Sequence, residues 1–266
     1  MKITATLALL VGLAGAGAPA APATPSADEI LERNFAALGG KDRIRSLRTL
    51  SFEGTDQAGG KSVPVRVYWK RPDRLRIEAP EQGLDKVQAF DGESAWSTYP
   101  GLPGFRPEKL PSAARDALRD QADLVEGPTF DYAAKGNKVE LLGKEKLADG
   151  EAWRLQLTLA SGEVRTLWFD CASDLQVREE RSQTQGDRVL TTESALSDFR
   201  PAGGILFAHR VETRFRVAIG GAPAAFGEPS VFTIEKIVAD SELPDSLFAV
   251  PLPVAPAPAA ASASPH

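Results

Sequence analysis

Two runs of alternating apolar and polar residues follow each other in the stretch Val63-Pro64-Val65-Arg66-Val67-Tyr68-Trp69-Lys70-Arg71-Pro72-Asp73-Arg74-Leu75-Arg76-Ile77-Glu78-Ala79. The side chains of a β-strand point alternately to opposite faces, so each run predicts a strand with one apolar and one polar face. The residues between the runs, Arg71 to Asp73, predict the turn that joins them. The stretch therefore predicts two neighbouring antiparallel strands of a sheet with one buried face.

The same period of two residues recurs on both sides of this stretch. Alternating runs occupy residues 49–53, 152–159 and 205–219. Further strands are predicted at 86–91, 94–99, 137–146, 163–170, 174–184, 187–199 and 230–239. Pairs such as Gly59-Gly60 and Asp149-Gly150 separate most of them, as is typical of hairpin turns. These patterns predict a mainly β (α+β) protein with a single antiparallel sheet of about 11 strands.

Two helices are predicted outside the strand series. The first begins at Ser26-Ala27-Asp28-Glu29, which has the spacing of a capping box, and ends at Gly39-Gly40. The second fits between Pro111 and Leu124, where apolar residues share one helical face. Because this second helix interrupts the strands, we expect it to lie across the sheet.

The width of the predicted sheet has a consequence for its apolar face. Strands lie about 4.8 Å apart, so a sheet of this size is roughly 50 Å wide, whereas one helix is about 10–12 Å across. A few short helices therefore leave part of the face uncovered, and the sheet must curl. Two outcomes are open: a concave apolar groove that binds a greasy ligand or a partner's hydrophobic segment, or a flattened barrel packed by its own side chains.

The composition excludes several classes of protein. The chain has 266 residues and a net charge of −5, which argues against nucleic acid as a partner. Its single cysteine cannot close an intramolecular disulfide, and it has two histidines. One of these, His209, falls on the apolar face of the strand at 205–219 and is predicted to be a hydrogen-bonded core residue. No catalytic or nucleotide-binding motif occurs, so we predict no enzymatic activity, no metal and no cofactor.

The two ends differ from the middle of the chain. Residues 1–23 have one charged residue, an apolar run and small residues, which predicts a signal peptide cleaved near Ala20 or Ala23. The apolar run is too short and too rich in glycine and alanine for a membrane anchor. Residues 26–250 are predicted to form one domain, and the Pro/Ala-rich residues 251–266 a disordered tail. The mature protein is therefore expected to be soluble in an exported compartment.

Several short motifs resemble one known family. The residues Tyr68 to Arg76 resemble the W-x-K-R-P strand end of the periplasmic lipoprotein carriers, the LolA/LolB-like superfamily, which includes outer-membrane lipoprotein-sorting proteins. The segment Phe90 to Pro100 is similar to that family's D-G-x-x-x-W hairpin. The opening Ala37-Leu38-Gly39-Gly40 and the closing Leu247-Phe248-Ala249-Val250-Pro251 also resemble wider members. The resemblance implies an open, curved antiparallel half-barrel with lid helices over an apolar cavity.

The resemblance also implies a function. It indicates a soluble, monomeric periplasmic carrier or sensor that binds a lipid or an acylated lipoprotein and meets a membrane-anchored donor or acceptor. The chain lacks a cysteine at the predicted cleavage site, so it does not resemble the membrane-anchored acceptor itself. The alternative is a protein-interaction module without transported cargo, similar to the superfamily members that sense and regulate an anti-sigma factor.

The resemblance assigns roles to individual residues. In the carriers, the arginine that corresponds to Arg71 helps to hold the lid closed over the cavity; the alternative is that Arg71 and Pro72 only shape a turn. Leu75 stands where the carriers have a cavity aromatic residue. The other candidates for the cavity wall are Trp69, Ile77, Trp96, Leu118 and Trp153. For each of them, an ordinary place in the core is the alternative.

Overall fold

The computed structural model describes residues 24–251 except positions 101, 103 and 223. The predicted signal peptide at 1–23 and the predicted tail beyond residue 251 lie outside the described residues. The helices are α1 (Ala27–Leu38), α2 (Lys41–Ser46) and α3 (Ser112–Ala122), with a 3-10 turn at Asp245–Leu247. The strands are β1 (Thr49–Ala58), β2 (Lys61–Lys70), β3 (Arg74–Glu81), β4 (Leu84–Phe90), β5 (Ala95–Thr98), β6 (Glu108–Lys109), β7 (Lys138–Leu147), β8 (Gly150–Thr158), β9 (Val164–Asp170), β10 (Gln176–Gln185), β11 (Arg188–Ala202), β12 (Ile205–Ile219) and β13 (Ser230–Ala239).

All thirteen strands belong to one antiparallel sheet, in the order β6-β5-β4-β3-β2-β1-β13-β12-β11-β10-β9-β8-β7. The chain runs outward from β1 to the edge strand β6, resumes at the opposite edge with β7, and runs inward to β12. Strand β13 then pairs with both β1 and β12 and joins the two halves. The sheet is open and fits a curved half-barrel. The predicted mainly β, single-sheet architecture is thus confirmed, with thirteen strands where we predicted about 11.

One face of the sheet, which we call the inner face, carries the helices and the main core. The register places Leu50 of β1 opposite Trp69 of β2, and Trp69 opposite Leu75 of β3, all three of them buried. Helix α1 adds Ile30 and Phe35 to the same cluster. Because apolar residues alternate along each strand, this pairing collects them into one continuous core.

Helix α1 has the predicted capping box. The hydroxyl of Ser26 accepts from the backbone N–H of Glu29, and the Glu29 carboxylate accepts from the backbone N–H of Ser26. The helix ends at Gly39, whose φ of 123° is unfavourable for other residues. A Cβ atom at Gly39 would lie 2.2 Å from the carbonyl oxygen of Gly204, so glycine is also needed for close packing against the β11–β12 turn. The predicted second helix, 111–124, is observed as α3.

A second cluster lies on the opposite, outer face of the sheet. Trp96 packs there with Val87 and Ala89. The indole N–H of Trp96 donates to the carbonyl oxygen of Phe248 at 2.8 Å, and Phe248 is fully buried. The segment 243–250, which we call the C-terminal strap, therefore covers the outer face of β3 to β5.

Basic side chains of β2 and β3 fix the C-terminal strap. Arg74 and Lys70 both contact the Asp245 carboxylate, at 2.5 and 2.6 Å. Their hydrogen bonds, that of Arg74 first, lower the pKa of this carboxyl group to about 2. Arg76 donates to the carbonyl oxygen of Leu247 at 2.9 Å. The strap is thus held by ionic contacts at its start and by apolar burial at its end.

None of the helices in the described residues is long and apolar enough to cross a membrane.

Candidate ligand cavity and its lid

A cavity of about 650 Å³ lies between helix α1, the segment 123–129 and the inner face of β9 to β12. This volume falls within the range of about 300–1,000 Å³ that is typical of small-molecule sites. Its apolar lining includes Phe35, Leu38, Leu124, Val125, Leu167 and Phe207. The sheet geometry predicted either an open groove or a fully packed interior, and the described residues form an open groove over β9 to β12.

Charged residues also line this cavity, which the sequence-based prediction of an apolar cavity did not include. Glu163, Arg165, Glu179 and Arg181 stand on or next to β9 and β10. The Arg165 guanidinium donates to the carboxylates of Glu163 and Glu179 at 2.8 and 3.4 Å. Arg165 and Leu167 are two residues apart in one strand and therefore share a face, as the sequence alternation could have indicated. The floor of the cavity is amphipathic rather than uniformly apolar.

The inner face of β3 to β5 is covered by α3, which with the segment 123–136 we call the lid. Leu118 and Ala122 are buried on the side of α3 that faces the sheet. The indole N–H of Trp69 donates to the carbonyl oxygen of Ala122 at 2.7 Å, which fixes the end of the helix. The lid therefore seals one half of the inner face and leaves the cavity over the other half.

Arg71 joins three parts of the structure at the edge of the lid. Its guanidinium donates to the carbonyl oxygens of Leu47 and Ile44, at the end of α2, at 2.9 and 3.0 Å. These carbonyls lie where a helix leaves acceptors without intrahelical partners, and the charge of Arg71 also complements the helix dipole. The third contact is an ion pair of 2.7 Å with Glu126, a residue of the lid. We call this set of contacts the Arg71 latch.

The structure places most of the predicted cavity residues in or against the main core and not in the open cavity. Trp69, Leu75 and Leu118 are buried in the main core, and Ile77 packs against it. Trp153 is half-buried on β8, with the ammonium group of Lys144 4.8 Å from its ring centre. None of these five residues lines the described cavity.

Trp96 lies on the outer face, away from the cavity. Its neighbours Phe90 and Ala95 pair across β4 and β5 and contribute to the main core. Because Trp96 is one residue further along the strand, its side chain points to the opposite face. The interpretation of Trp96 as a cavity residue is therefore corrected: it anchors the C-terminal strap.

His209 is buried, and its Nδ1 lies 2.8 Å from the carbonyl oxygen of Ile234. One hydrogen bond to the backbone is the arrangement predicted for a core histidine. Within residues 24–251, apart from the three positions left out, no group of three or more histidine, cysteine, aspartate or glutamate side chains could hold a metal ion. The polar groups at or next to the cavity are the Arg71 latch and the charged floor.

Known structures share this architecture, although no family model and no curated protein matches the chain. A LolA superfamily protein from Nitrosomonas europaea is 18% identical, with a TM-score of 0.54 over 85% of this chain and 98% of that one. A DUF1329 family protein from Desulfovibrio piger is 13% identical, with a TM-score of 0.53 over 84% and 96%. A putative outer membrane lipoprotein-sorting protein domain from Vibrio parahaemolyticus is 11% identical, with a TM-score of 0.52 over 83% and 94%. The chain therefore has a LolA-like fold.

Proposed function

We propose that the protein carries lipids or acylated lipoproteins in the periplasm and holds an acyl chain in the cavity under its lid. The observation that carries this proposal is the cavity of about 650 Å³ with apolar walls, next to a lid that the ion pair of Arg71 and Glu126 helps to fasten. Burial contributes about 0.8 kcal/mol per CH₂ group, so a sixteen-carbon chain gains roughly 12 kcal/mol before the losses on binding. The likeness to a lipoprotein-sorting domain supports the same role.

The lid gives the carrier a way to control entry and release. In the closed state the Arg71 latch fastens the segment 123–129 of the lid, and Leu118 of α3 packs on Trp69 and Leu75 in the main core. When an acyl chain enters, it replaces contacts of the segment 123–129, and these core residues hold α3 on the sheet as a fixed wall of the cavity. Ile77 and Trp153, at the margins of the same face, extend this wall. The competing interpretation, in which Arg71 and Pro72 only shape a turn, predicts no effect of the latch on release.

Native mass spectrometry of the protein purified from the periplasm tests the proposal, together with uptake of a fluorescent fatty-acyl probe. Leu124 lines the cavity and Leu142 lies on the edge strand β7, and both are 42% exposed. We expect Leu124→Asp to weaken probe binding at least fivefold, because it brings a charge to the cavity wall, and Leu142→Asp to leave it unchanged. Absence of both bound lipid and probe uptake in the wild-type protein would contradict the proposal.

A second candidate function, a protein-interaction module, is favoured by one observation. Phe215, Val217 and Ile219 are 47%, 48% and 51% exposed and share the inner face of β12, beyond the residues that line the cavity. An exposed apolar row on a strand is a typical contact surface. A photo-crosslinking residue at Val217 should then capture one defined protein in cells, whereas one at Arg216, on the opposite face, should not. Capture without any lipid in the cavity would favour this function over the carrier.

A further inference from the structure

Two arginines stand directly opposite each other on the floor of the cavity. Arg165 of β9 pairs with Arg181 of β10 in the strand register, and both line the cavity. Like charges in directly opposed positions destabilise a sheet. Arg165 contacts two carboxylates, those of Glu163 and Glu179, whereas Arg181 contacts none. The two carboxylates exceed the single charge of Arg165 by one, so Arg181 balances the charge of the floor without forming a direct ion pair.

The acidic residues that line the cavity do not supply the missing partner. Each one is paired with another basic residue: Asp120 with Arg119, Asp123 with Lys135, Glu126 with Arg71, and Glu163 and Glu179 with Arg165. Among the described residues, no carboxylate oxygen lies within 4.0 Å of a nitrogen of the Arg181 side chain. The amide of Gln183, two residues further along the same face of β10, adds a neutral hydrogen-bonding group. The cavity therefore presents one guanidinium without a carboxylate partner beside apolar walls.

We propose that Arg181, with Gln183 beside it, binds the anionic head group of an amphiphile whose acyl chain lies in the cavity. This inference rests on the proposed function and adds the chemical class of the ligand. Arg181 is exposed, whereas Leu167 on the adjacent strand is buried, so the charged end of the ligand lies at the mouth and the chain lies inside. A guanidinium matches a carboxylate or a phosphodiester with two parallel hydrogen bonds, and either source satisfies the geometry.

Displacement of a bound fluorescent acyl probe by ligands with the same sixteen-carbon chain tests the proposal. Palmitate carries a carboxylate, palmitoyl-lysophosphatidylglycerol carries a phosphodiester, and monopalmitoylglycerol carries no charge. We expect at least one of the two anionic ligands to bind about tenfold more tightly than the uncharged one, the increment of one charge-assisted hydrogen-bonding group. The ligand with the greater advantage identifies the source of the anion.

The variant Arg181→Gln should abolish this advantage and leave the binding of monopalmitoylglycerol unchanged. Its melting temperature should stay close to that of the wild type, because Arg181 is exposed and forms no ion pair. Arg106→Gln, which removes an exposed arginine outside the cavity, should keep the tenfold preference. Equal binding of charged and uncharged ligands by the wild type, or a preference that survives in Arg181→Gln, overturns the head-group site alone. Failure of all three ligands to displace the probe overturns the carrier function as well.

Discussion

The variant Glu126→Gln isolates the contribution of the Arg71 latch to lid closure. Arg71 itself serves two purposes, because it satisfies the carbonyls of Ile44 and Leu47 in addition to the lid carboxylate. Removal of the Arg71 side chain would leave these carbonyls without a partner, so a change in the stability of the fold would be mixed with a change in lid opening. Glu126→Gln keeps the guanidinium on the carbonyls and removes only the charge of its partner in the lid. We expect this variant to open the lid more often.

The size of the effect follows from the geometry of the pair. The Arg71 and Glu126 side chains are 20% and 23% exposed, and the N–O distance is 2.7 Å. A hydrogen bond between charged groups contributes about 1.5–3 kcal/mol, and partial exposure to water reduces this to about 1–2 kcal/mol. A change of this size alters an equilibrium by a factor of about 5–30. The fraction of protein with an open lid, and with it the release rate of a bound acyl chain, should rise by that factor.

Stopped-flow release of a fluorescent acyl probe measures the rate, and hydrogen exchange of the amides at 123–129 measures the opening. Glu145→Gln serves as the control, because Glu145 forms an ion pair of 2.9 Å with Arg154 away from the lid. Arg71→Leu should accelerate release at least as much as Glu126→Gln and should still fold. The reasoning is refuted if Glu126→Gln releases the probe no faster than Glu145→Gln. If Arg71→Leu unfolds the protein, the residue serves the fold, through the turn and the helix carbonyls, rather than the lid.

Three further predictions concern the framework of the fold. Phe248→Ala should lower the free energy of unfolding, measured in urea, by about 3–5 kcal/mol because it empties a fully buried position, and Trp96 should become more accessible to a fluorescence quencher. A decrease in the free energy of unfolding of less than about 1 kcal/mol would contradict the role of the strap. The stabilising contribution of Asp245, whose pKa is lowered to about 2, is complete above about pH 4 and is lost as the pH falls through about 2. The difference in melting temperature between the wild type and Asp245→Asn should therefore shrink over that interval, whereas a constant difference would be evidence against the ionic contacts. Gly40→Ala should destabilise the protein by about 1–3 kcal/mol through backbone strain alone, and Gly39→Ala should destabilise it more because the new Cβ also collides with the carbonyl oxygen of Gly204. Equal decreases in the free energy of unfolding in urea titrations would exclude the collision.

The strand series was predictable because most strands bury one face only. In β2, Val67 and Trp69 are buried whereas Arg66 is exposed, and this difference produces the alternation that the sequence displays. The two-residue strand Glu108–Lys109 has too few residues for any period, so no pattern could predict it. The direction of each side chain was less predictable. Near Trp96 both faces of the sheet are covered, one by the lid and the other by the C-terminal strap. Apolar residues therefore occupy consecutive positions, and the sequence no longer shows which face each side chain takes.

The location of the cavity could not be derived from local patterns. It depends on which strands remain uncovered, and this is decided by contacts between distant parts of the chain: β13 pairs with β1 and β12, α3 packs on β3 to β5, and α1 packs on β7 and β12. The family resemblance drew attention to Arg71, but its contacts with the carbonyls of Ile44 and Leu47 depend on where α2 lies and could not be derived from the sequence. Its partner Glu126 was not anticipated, because it lies in an irregular segment that has no periodicity.

The topology decides which part of the lid can move. Because β6 and β7 are opposite edges of the sheet, the chain between them must cross the inner face, and both ends of this crossing are tied to strands. Helix α3 cannot lift easily, since Ala122 is buried and its carbonyl holds the indole of Trp69. Directly after the segment 123–129, Phe130 is buried and packs edge-on against the ring of Phe35, with the two ring centres 5.2 Å apart. The segment 123–129 lies between these two anchors, lines the cavity, and is fastened to the sheet end by the Arg71 latch. Release of a ligand therefore requires the displacement of this segment alone, and a change at the latch should alter the rate of release without unfolding either anchor.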